Sequence, residues 1–211
     1  MERVLEPEWL DALPWADPRA QRSRGDLRRL NTLMGNAAHV RRELGAGAHT
    51  LLDLGAGDGT FARRIAVPGT EMVLLDRLGF PESAGEKRVT ADAHDFLAAS
   101  SETFGAIVAN LFLHHLERAA LRELLGLIAR RTRLFIACEP RRSGTALAAS
   151  RLTWALGCSA VTRHDAQASV RAGFCGRELS ELWPCAEGWR LKEHAAWPFS
   201  HVFVARRDGS L

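Results

Sequence analysis

The sequence lacks the features that mark a membrane, disulfide-rich or zinc-binding protein. It contains only four cysteines, none in a Cys-x-x-Cys pair or grouped with histidines at zinc-like spacing, which predicts reduced thiols and no metal site. No apolar run approaches the ~20 residues of a membrane-spanning helix, and the N-terminal MERVLEPEWL has no signal-peptide core. These absences predict a soluble, cytoplasmic protein.

A concentrated charge of one sign is also missing. The formal net charge is +3, and the arginines occur as pairs scattered along the chain rather than as one basic block. This distribution is typical of solvated faces and helix ends, and it gives little support for a nucleic-acid partner. With 46% hydrophobic and 25% charged residues, the 211-residue chain is expected to form one globular domain with a full core.

Short apolar segments alternate with helical patterns through the middle of the chain. Five segments read as strands, namely HTLLDLG, EMVLLD, EKRVTAD, FGAIVANLFL and RLFIACEP. Helical patterns separate them, the clearest from Leu116 to Arg130. The alternation predicts an α/β fold, a Rossmann-like doubly wound sheet that is mostly parallel with helices on both faces. Near the C-terminus, SHVFVARR alternates apolar and polar residues, as an antiparallel or edge strand should, and it predicts an antiparallel last strand.

The N-terminal region has a different pattern. Residues 1–25 hold three prolines and two tryptophans without a sustained period, which predicts an irregular or short-helical arm. Leucines then recur at helical spacing, with Asp26 expected as the N-cap and Gly45 as the stop signal of one helix.

The segment LLDLGAGDGTF, residues 51–61, places three alternate glycines where the first strand should end. Glycine allows a ligand to approach the backbone closely, and the carboxyl edge of a parallel sheet is where open α/β folds bind ligands. A dinucleotide fingerprint, G-x-G-x-x-G, would need its third glycine at position 60, where Thr60 stands. The pattern is instead D-x-G-x-G-x-G, and Asp58 is expected to cap the following helix.

This pattern resembles the first motif of the class I S-adenosylmethionine-dependent methyltransferases. The resemblance extends from about Arg41 to Arg207 and implies S-adenosyl-L-methionine as cofactor and S-adenosyl-L-homocysteine as product. In that family the acid of the motif orients the methionine end of the cofactor, a role that falls on Asp53. The resemblance also places the backbone of Gly55, Ala56 and Gly57 against the cofactor.

Later landmarks of the family follow in order. The second strand ends in Asp76, 23 positions after Asp53 (76 − 53), where an acid takes the ribose hydroxyls. Arg77 is expected at the same site. In TADAHDF, the resemblance assigns Asp92 to the adenine amino group and Ala93 to a backbone N–H contact.

The fourth strand ends in ANLFLHHL, which resembles the family's stretch beside the reacting methyl group. Asn110 and Leu111 are expected nearest to that group. The N/D-P-P-Y/F motif of amino-group nucleic-acid methyltransferases is absent here, and the chain also lacks the double-glutamate arrangement of arginine methyltransferases. The resemblance therefore implies a small-molecule acceptor, of phenolic, quinone or polyketide type, and no nucleic-acid partner.

Methyl transfer from a sulfonium requires positioning rather than a protein nucleophile, but a phenol or enol acceptor benefits from a base. His115 and His114 are the candidates for this base. The alternative is a structural role at the entry of a helix, with one histidine packed and the other solvated. Glu139 either contacts the acceptor or pairs with Arg141.

The segment VTRHDAQASVRAGF, residues 161–174, lies where the family builds its acceptor pocket. It offers His164 as a second candidate base and Arg171 as a ligand for an acceptor oxygen, with Arg163 nearby. The alternative is a helix stripe that docks this segment. Four tryptophans of the C-terminal third are expected either to stack on a flat acceptor or to pack in the core.

The single domain 1–211 is accordingly divided into an N-terminal helical arm (1–45), a cofactor-binding half (46–142) and an acceptor-binding region with the last strands (143–211). The arm is expected to cover the cleft or to form a dimer contact. Two other functions stay open, a nicotinamide-dependent oxidoreductase and a non-catalytic cofactor-binding module.

Overall fold

A twisted, mostly parallel sheet forms the centre of the protein. The structure is a computed structural model that describes residues 1–45, 49–80, 86–184 and 187–209; Cys185 lies outside these ranges. The strands within them are β1 (Thr50–Leu54), β2 (Glu71–Asp76), β3 (Lys87–Thr90), β4 (Ala106–Asn110), β5 (Leu134–Pro140), β6 (Trp189–Ala196) and β7 (Ser200–Arg207). Their order is β3-β2-β1-β4-β5-β7-β6.

Pairing follows the predicted pattern. Strands β1 to β5 pair in parallel, and β7 is antiparallel to both β5 and β6. The Rossmann-like sheet with an antiparallel last strand is therefore confirmed. It brings the carboxyl ends of β1, β2 and β4 to one edge, where ligands bind in open α/β folds.

Helices cover both faces of the sheet. They are α1 (Pro18–Met34), α2 (Asn36–Leu44), α3 (Thr60–Ile65), α4 (Ala93–Ala99), α5 (Arg118–Arg131), α6 (Gly144–Arg151), α7 (Ala160–Ala172) and α8 (Glu178–Leu182), with short 3₁₀ turns at Leu10–Ala12, Leu113–His115 and Thr153–Leu156. One core cluster joins α4, α5 and α8 to the sheet, and another joins α2 and α3. None of the helices described is long and apolar enough to cross a membrane.

The last strand lies inside the sheet, and β6 is the strand at the edge. Residues 200–205 of β7 are buried although the sequence alternates. The buried polar groups of this strand have partners: Ser200 donates to the side-chain oxygen of Asn36, and Nε2 of His201 lies 2.7 Å from a carboxylate oxygen of Glu193. Because these polar side chains form hydrogen bonds inside the protein, the alternating strand can be buried without leaving polar groups unsatisfied.

The N-terminal region is more helical than predicted. Helix α1 begins at Pro18, with Asp17 as its N-cap, and Gly35 in the left-handed conformation (φ 69°) separates it from α2. Asp26 is therefore not an N-cap; it lies buried within α1 and accepts hydrogen bonds from the start of α7. The Asp-Pro pair was the stronger start signal, because proline suits the first helical position. Gly45 ends α2 as predicted.

Gly173, directly after α7, is packed against the end of β5 so closely that a side chain has no room there. A Cβ atom at Gly173 would lie 2.2 Å from the carbonyl oxygen of Pro140. We expect Gly173→Ala to lower the free energy of unfolding in urea by about 3 kcal/mol, because backbone must move to relieve the clash. Gly144→Ala is the matched control, since its Cβ meets nothing within 4 Å. Equal unfolding midpoints for the two variants would contradict this packing.

Candidate functional site

A cavity of about 1160 Å³ lies at the carboxyl edge of the sheet. Its walls are the loop after β1, the segments after β2, β3 and β4, parts of α6 and α7, and the N-terminal arm, residues 1–45. Typical ligand pockets measure about 300–1,000 Å³, so this space is large enough for a cofactor together with a small second ligand. All nine residues of the predicted cofactor site line it: Asp53, Gly55, Ala56, Gly57, Asp76, Arg77, Asp92, Ala93 and Asn110.

The glycine loop presents its backbone to this cavity. The backbone N–H groups of Gly55 and Ala56 donate to the carbonyl of Leu75, which ties the loop to β2. Gly57 has a φ of 56°, a conformation that favours glycine. A Cβ on Gly57 would meet no protein atom within 4 Å and would enter the open cavity. The loop is thus shaped for close approach of a ligand.

Asp53 is a buried carboxyl group for which the described residues provide no counter-charge. It lies in β1, is 1% exposed, and its Oδ2 has no hydrogen-bond partner among the residues described. Burial, reinforced by the negative charge of Asp76, raises the pKa of Asp53 to about 8. Because an unpaired buried polar group is unfavourable, this site is suited to a ligand that brings a positive charge.

Asp76 connects the loop to the end of β2. Its Oδ2 accepts the N–H of Gly57 and its Oδ1 accepts the N–H of Leu78, both at 2.9 Å. Each carboxylate oxygen has a second lone pair, so the group can still accept two ligand hydroxyls. The neighbouring Arg77 also lines the cavity, but its guanidinium pairs with Asp11 of the N-terminal arm at 3.1 Å.

Two further predicted contacts lie at helix and strand ends. Asp92 is the N-cap of α4, and its Oδ1 accepts the N–H groups of His94 and Asp95. Its Oδ2 is not used by the cap. Asn110, at the end of β4, accepts a hydrogen bond of 2.8 Å from Nδ2 of Asn36, which fixes its side chain at the cavity wall.

The turn after β4 is held by a buried carboxylate. Leu111 has a φ of 55°, unusual for a residue other than glycine, and such strain persists only where surrounding contacts impose it. The following N–H groups of residues 112–114 point at the fully buried Glu139, which also lies 2.7 Å from Nδ1 of His114. Glu139 therefore positions this turn, and neither predicted role, acceptor contact or pairing with Arg141, matches these contacts.

The two histidines of the turn reach the cavity. Burial alone would lower the pKa of His114, but the carboxylates of Glu139 and Glu8 outweigh it and raise this pKa to about 9. The pKa of His115 is lowered, first by burial and then by the charge of His114, which favours a neutral imidazole. His115 thus lies where it was predicted, at the wall of the cavity.

His164 and Arg171 are not at the cavity; they hold the N-terminal arm. The ring of His164 stacks on Trp9 with centroids 4.0 Å apart, and Arg171 pairs with Glu6 at 2.9 Å. Between them, the carboxylate of Asp165 accepts the backbone N–H groups of residues 9 and 10. The predicted acceptor contacts of these two side chains are thus replaced by docking, because α7 turns its polar stripe toward the arm.

The tryptophans of the C-terminal third do not form an acceptor platform in the part of the chain described. Trp183 packs in the core, 5.9 Å from the ring of Phe135 and 5.0 Å from that of Trp189. Trp197 is 87% exposed and Trp154 is also exposed. Core packing was the alternative prediction, and it holds for Trp183.

The N-terminal arm, which was expected either to cover the cleft or to form a dimer contact, lines the cavity. Leucines of the arm line the cavity, among them Leu5, Leu10, Leu27 and Leu30. Trp15 fastens the arm just beyond the end of β2, because its indole N–H donates to the carbonyl of Leu78 at 3.0 Å.

Comparison with known proteins identifies the fold. No family model matches the sequence, and neither does any curated protein. Among solved structures, the plantazolicin methyltransferase BpumL in complex with SAH is similar over 92% of both chains, with 12% identity and a TM-score of 0.66.

Two further methyltransferase structures are similar. An O-methyltransferase family protein from Burkholderia thailandensis matches 92% of this chain and 62% of its own, at 17% identity and a TM-score of 0.59. Magnesium protoporphyrin IX methyltransferase (ChlM) from Synechocystis PCC 6803 with bound SAM matches 95% and 88%, at 12% identity and a TM-score of 0.52. The chain therefore has the Rossmann-like methyltransferase fold.

Proposed function

We propose that this protein is an S-adenosylmethionine-dependent methyltransferase for a small, apolar acceptor of phenolic, quinone or polyketide type. The observation that carries the proposal is the buried, unpaired carboxyl of Asp53 at a cavity that all the predicted cofactor residues line. The shared fold supports it, since each of the similar structures is named as a methyltransferase.

The residues present fit the proposed cofactor. Asp53 is suited to the ammonium group of the methionine end, and the carboxylate of Asp76 to the two ribose hydroxyls. The open backbone at Gly57 leaves room beside them, and we propose that Asp92 and Ala93, which line the same cavity, contact the adenine. When bound, the cofactor supplies a methyl group on a sulfonium, so the tasks of the chain are to bind, orient and exclude water.

The remaining cavity wall supports a small apolar acceptor. Leucines of the arm face the space, and Met34 of α1 and Ala146 of α6 add to the same lining. Glu8, His114 and His115 form a polar corner of the same wall. We propose that the acceptor's hydroxyl meets this corner, with His115 acting on it. The arm over the edge favours a compact acceptor over a nucleic acid.

Methyl transfer to a panel of phenols and hydroquinones tests the proposal. The protein is incubated with S-adenosylmethionine and each compound, and S-adenosylhomocysteine and the methylated product are measured by mass spectrometry. We expect both products in equal amounts with at least one compound, and neither in the absence of acceptor. Cofactor binding without product from any acceptor would instead favour the non-catalytic module, and oxidation of NADH by the corresponding quinones in a parallel incubation would favour the oxidoreductase.

A further inference from the structure

The polar corner of the cavity brings together three side chains from distant parts of the sequence. Glu8 comes from the N-terminal arm, whereas His114 and His115 follow β4. Each offers one ligand atom, and these atoms lie within 4.8 Å of one another. We infer that Glu8, His114 and His115 bind one divalent transition-metal ion in the wall of the cavity. Sequence reasoning expected no metal, because only the docking of the arm places the carboxylate beside the histidines.

The spacing of the ligand atoms suits a single ion. Nε2 of His114 lies 3.4 Å from Oε1 of Glu8. Two ligands at about 2.1 Å from a tetrahedral ion are separated by about 3.4 Å. The rings of His114 and His115 have centroids 4.2 Å apart and are tilted by 33°. The three ligand atoms, now within 4.8 Å of one another, would have to approach to about 3.4 Å to bind one ion.

The groups behind these ligands are arranged as in metal sites. A metal-bound histidine usually donates its other ring N–H to a carboxylate. Here Nδ1 of His114 lies 2.7 Å from Oε2 of Glu139, a carboxylate fixed in turn by three backbone N–H groups. The hydroxyl of Ser169 donates to Oε1 of Glu8, so the carboxylate ligand is also oriented.

The other ring nitrogen of His114, Nε2, provides a separate indication that a ligand binds here. Nε2 of His114 is buried, and no hydrogen-bond partner for it is found in the described ranges, although it faces Glu8. An ion bound by Glu8 and His115 would provide the missing partner for Nε2 of His114. The rival explanation is an imidazolium held between the carboxylates of Glu8 and Glu139, which requires no metal.

The donor set indicates which ions fit. Two imidazoles and one carboxylate suit Zn²⁺, Fe²⁺, Co²⁺ or Mn²⁺ better than Mg²⁺ or Ca²⁺, which prefer sites made of oxygen ligands. Three protein ligands leave at least one position open, and all three residues line the cavity. The next step rests on the proposed function. The acceptor oxygen would occupy the open position, and the ion would lower the pKa of the acceptor hydroxyl. His115 would then act on the acceptor as a ligand of the ion.

Cobalt binding to the full chain tests the inference. The protein is freed of metal with a chelator and titrated with Co²⁺, followed by visible absorption and by calorimetry. We expect one Co²⁺ per chain in the wild type. His115→Ala and Glu8→Gln should each weaken binding at least ~10-fold, since even changes behind a ligand have effects of this size.

His94→Ala is the matched control. His94 also lies near two carboxylates, 3.6 Å from Asp95 and 3.8 Å from Glu123, but is not part of the triad. Its variant should bind Co²⁺ like the wild type. If Glu8→Gln does not fold, the partly exposed His115 alone decides, because its replacement disturbs no buried pair.

Absence of stoichiometric Co²⁺ binding in the wild type, or equal binding by His115→Ala, would overturn the inference and favour the imidazolium network. Calorimetry with S-adenosylmethionine on the same samples separates the two proposals. Cofactor binding without Co²⁺ binding overturns the metal site alone. Stoichiometric Co²⁺ binding without cofactor binding supports the metal site and overturns the proposed function.

Discussion

Binding of S-adenosylmethionine is expected to strengthen about tenfold between pH 6 and pH 7, and Asp53→Asn should abolish this change. The pKa of Asp53 is raised to about 8 by burial and by Asp76, whereas pairing with the cofactor's ammonium needs the ionised carboxylate. Below pH 8, each pH unit therefore reduces the competent fraction, and with it the affinity, about tenfold. Isothermal calorimetry at both pH values measures the effect.

Asp95→Asn is the control for this experiment. Asp95 is an exposed carboxyl in the first turn of α4, so its variant should keep the tenfold change. An affinity that is independent of pH in the wild type, or a pH dependence that survives in Asp53→Asn, would contradict the role of Asp53.

The same carboxyl affects the stability of the protein without ligand. The pKa of Asp53 in the folded state, about 8, lies above its ordinary value of 3.8. Its contribution to folding is therefore fully present below pH 3.8 and is lost as the pH rises toward 8. Urea unfolding at pH 5 and pH 8 should show that the wild type loses more stability over this interval than Asp53→Asn does.

Asp76→Ala is expected to weaken S-adenosylmethionine binding more than tenfold, beyond ~1.4 kcal/mol. The change removes the acceptor proposed for the ribose hydroxyls, and it also frees the N–H of Gly57, which the carboxylate now holds at 2.9 Å. Calorimetry at pH 7.5 measures the dissociation constant. Glu71→Ala removes the same charge at the other, exposed end of β2 and should leave it unchanged. An unchanged dissociation constant in Asp76→Ala would contradict the proposal that Asp76 binds the ribose hydroxyls.

The sheet and the cofactor edge were predictable because they depend on local patterns. Apolar runs such as EMVLLD specify buried strands, and the glycines after β1 mark a backbone that must turn at the edge. Once the strands are parallel, their carboxyl ends meet, and Asp53, Asp76 and Asn110 come to one cavity.

The acceptor side was less predictable because it depends on contacts between distant segments. No local pattern shows that His164 stacks on Trp9 or that Asp165 accepts two N–H groups of the arm. The fate of Glu139 likewise depends on the left-handed turn at Leu111. His164 and Arg171, interpreted as acceptor contacts, hold the arm for this reason, whereas Ala166, Ser169 and Val170 of the same helix line the cavity.

Thermal unfolding with S-adenosylmethionine, S-adenosylhomocysteine or NAD tests the central claim most directly. A ligand at 100 times its dissociation constant adds ~2.7 kcal/mol of stability, which corresponds to a melting-temperature rise of roughly 5–11 °C for a chain of this size. We expect this rise with the first two ligands and none with NAD. A rise with NAD alone would contradict the account and make the nicotinamide-dependent oxidoreductase the better description.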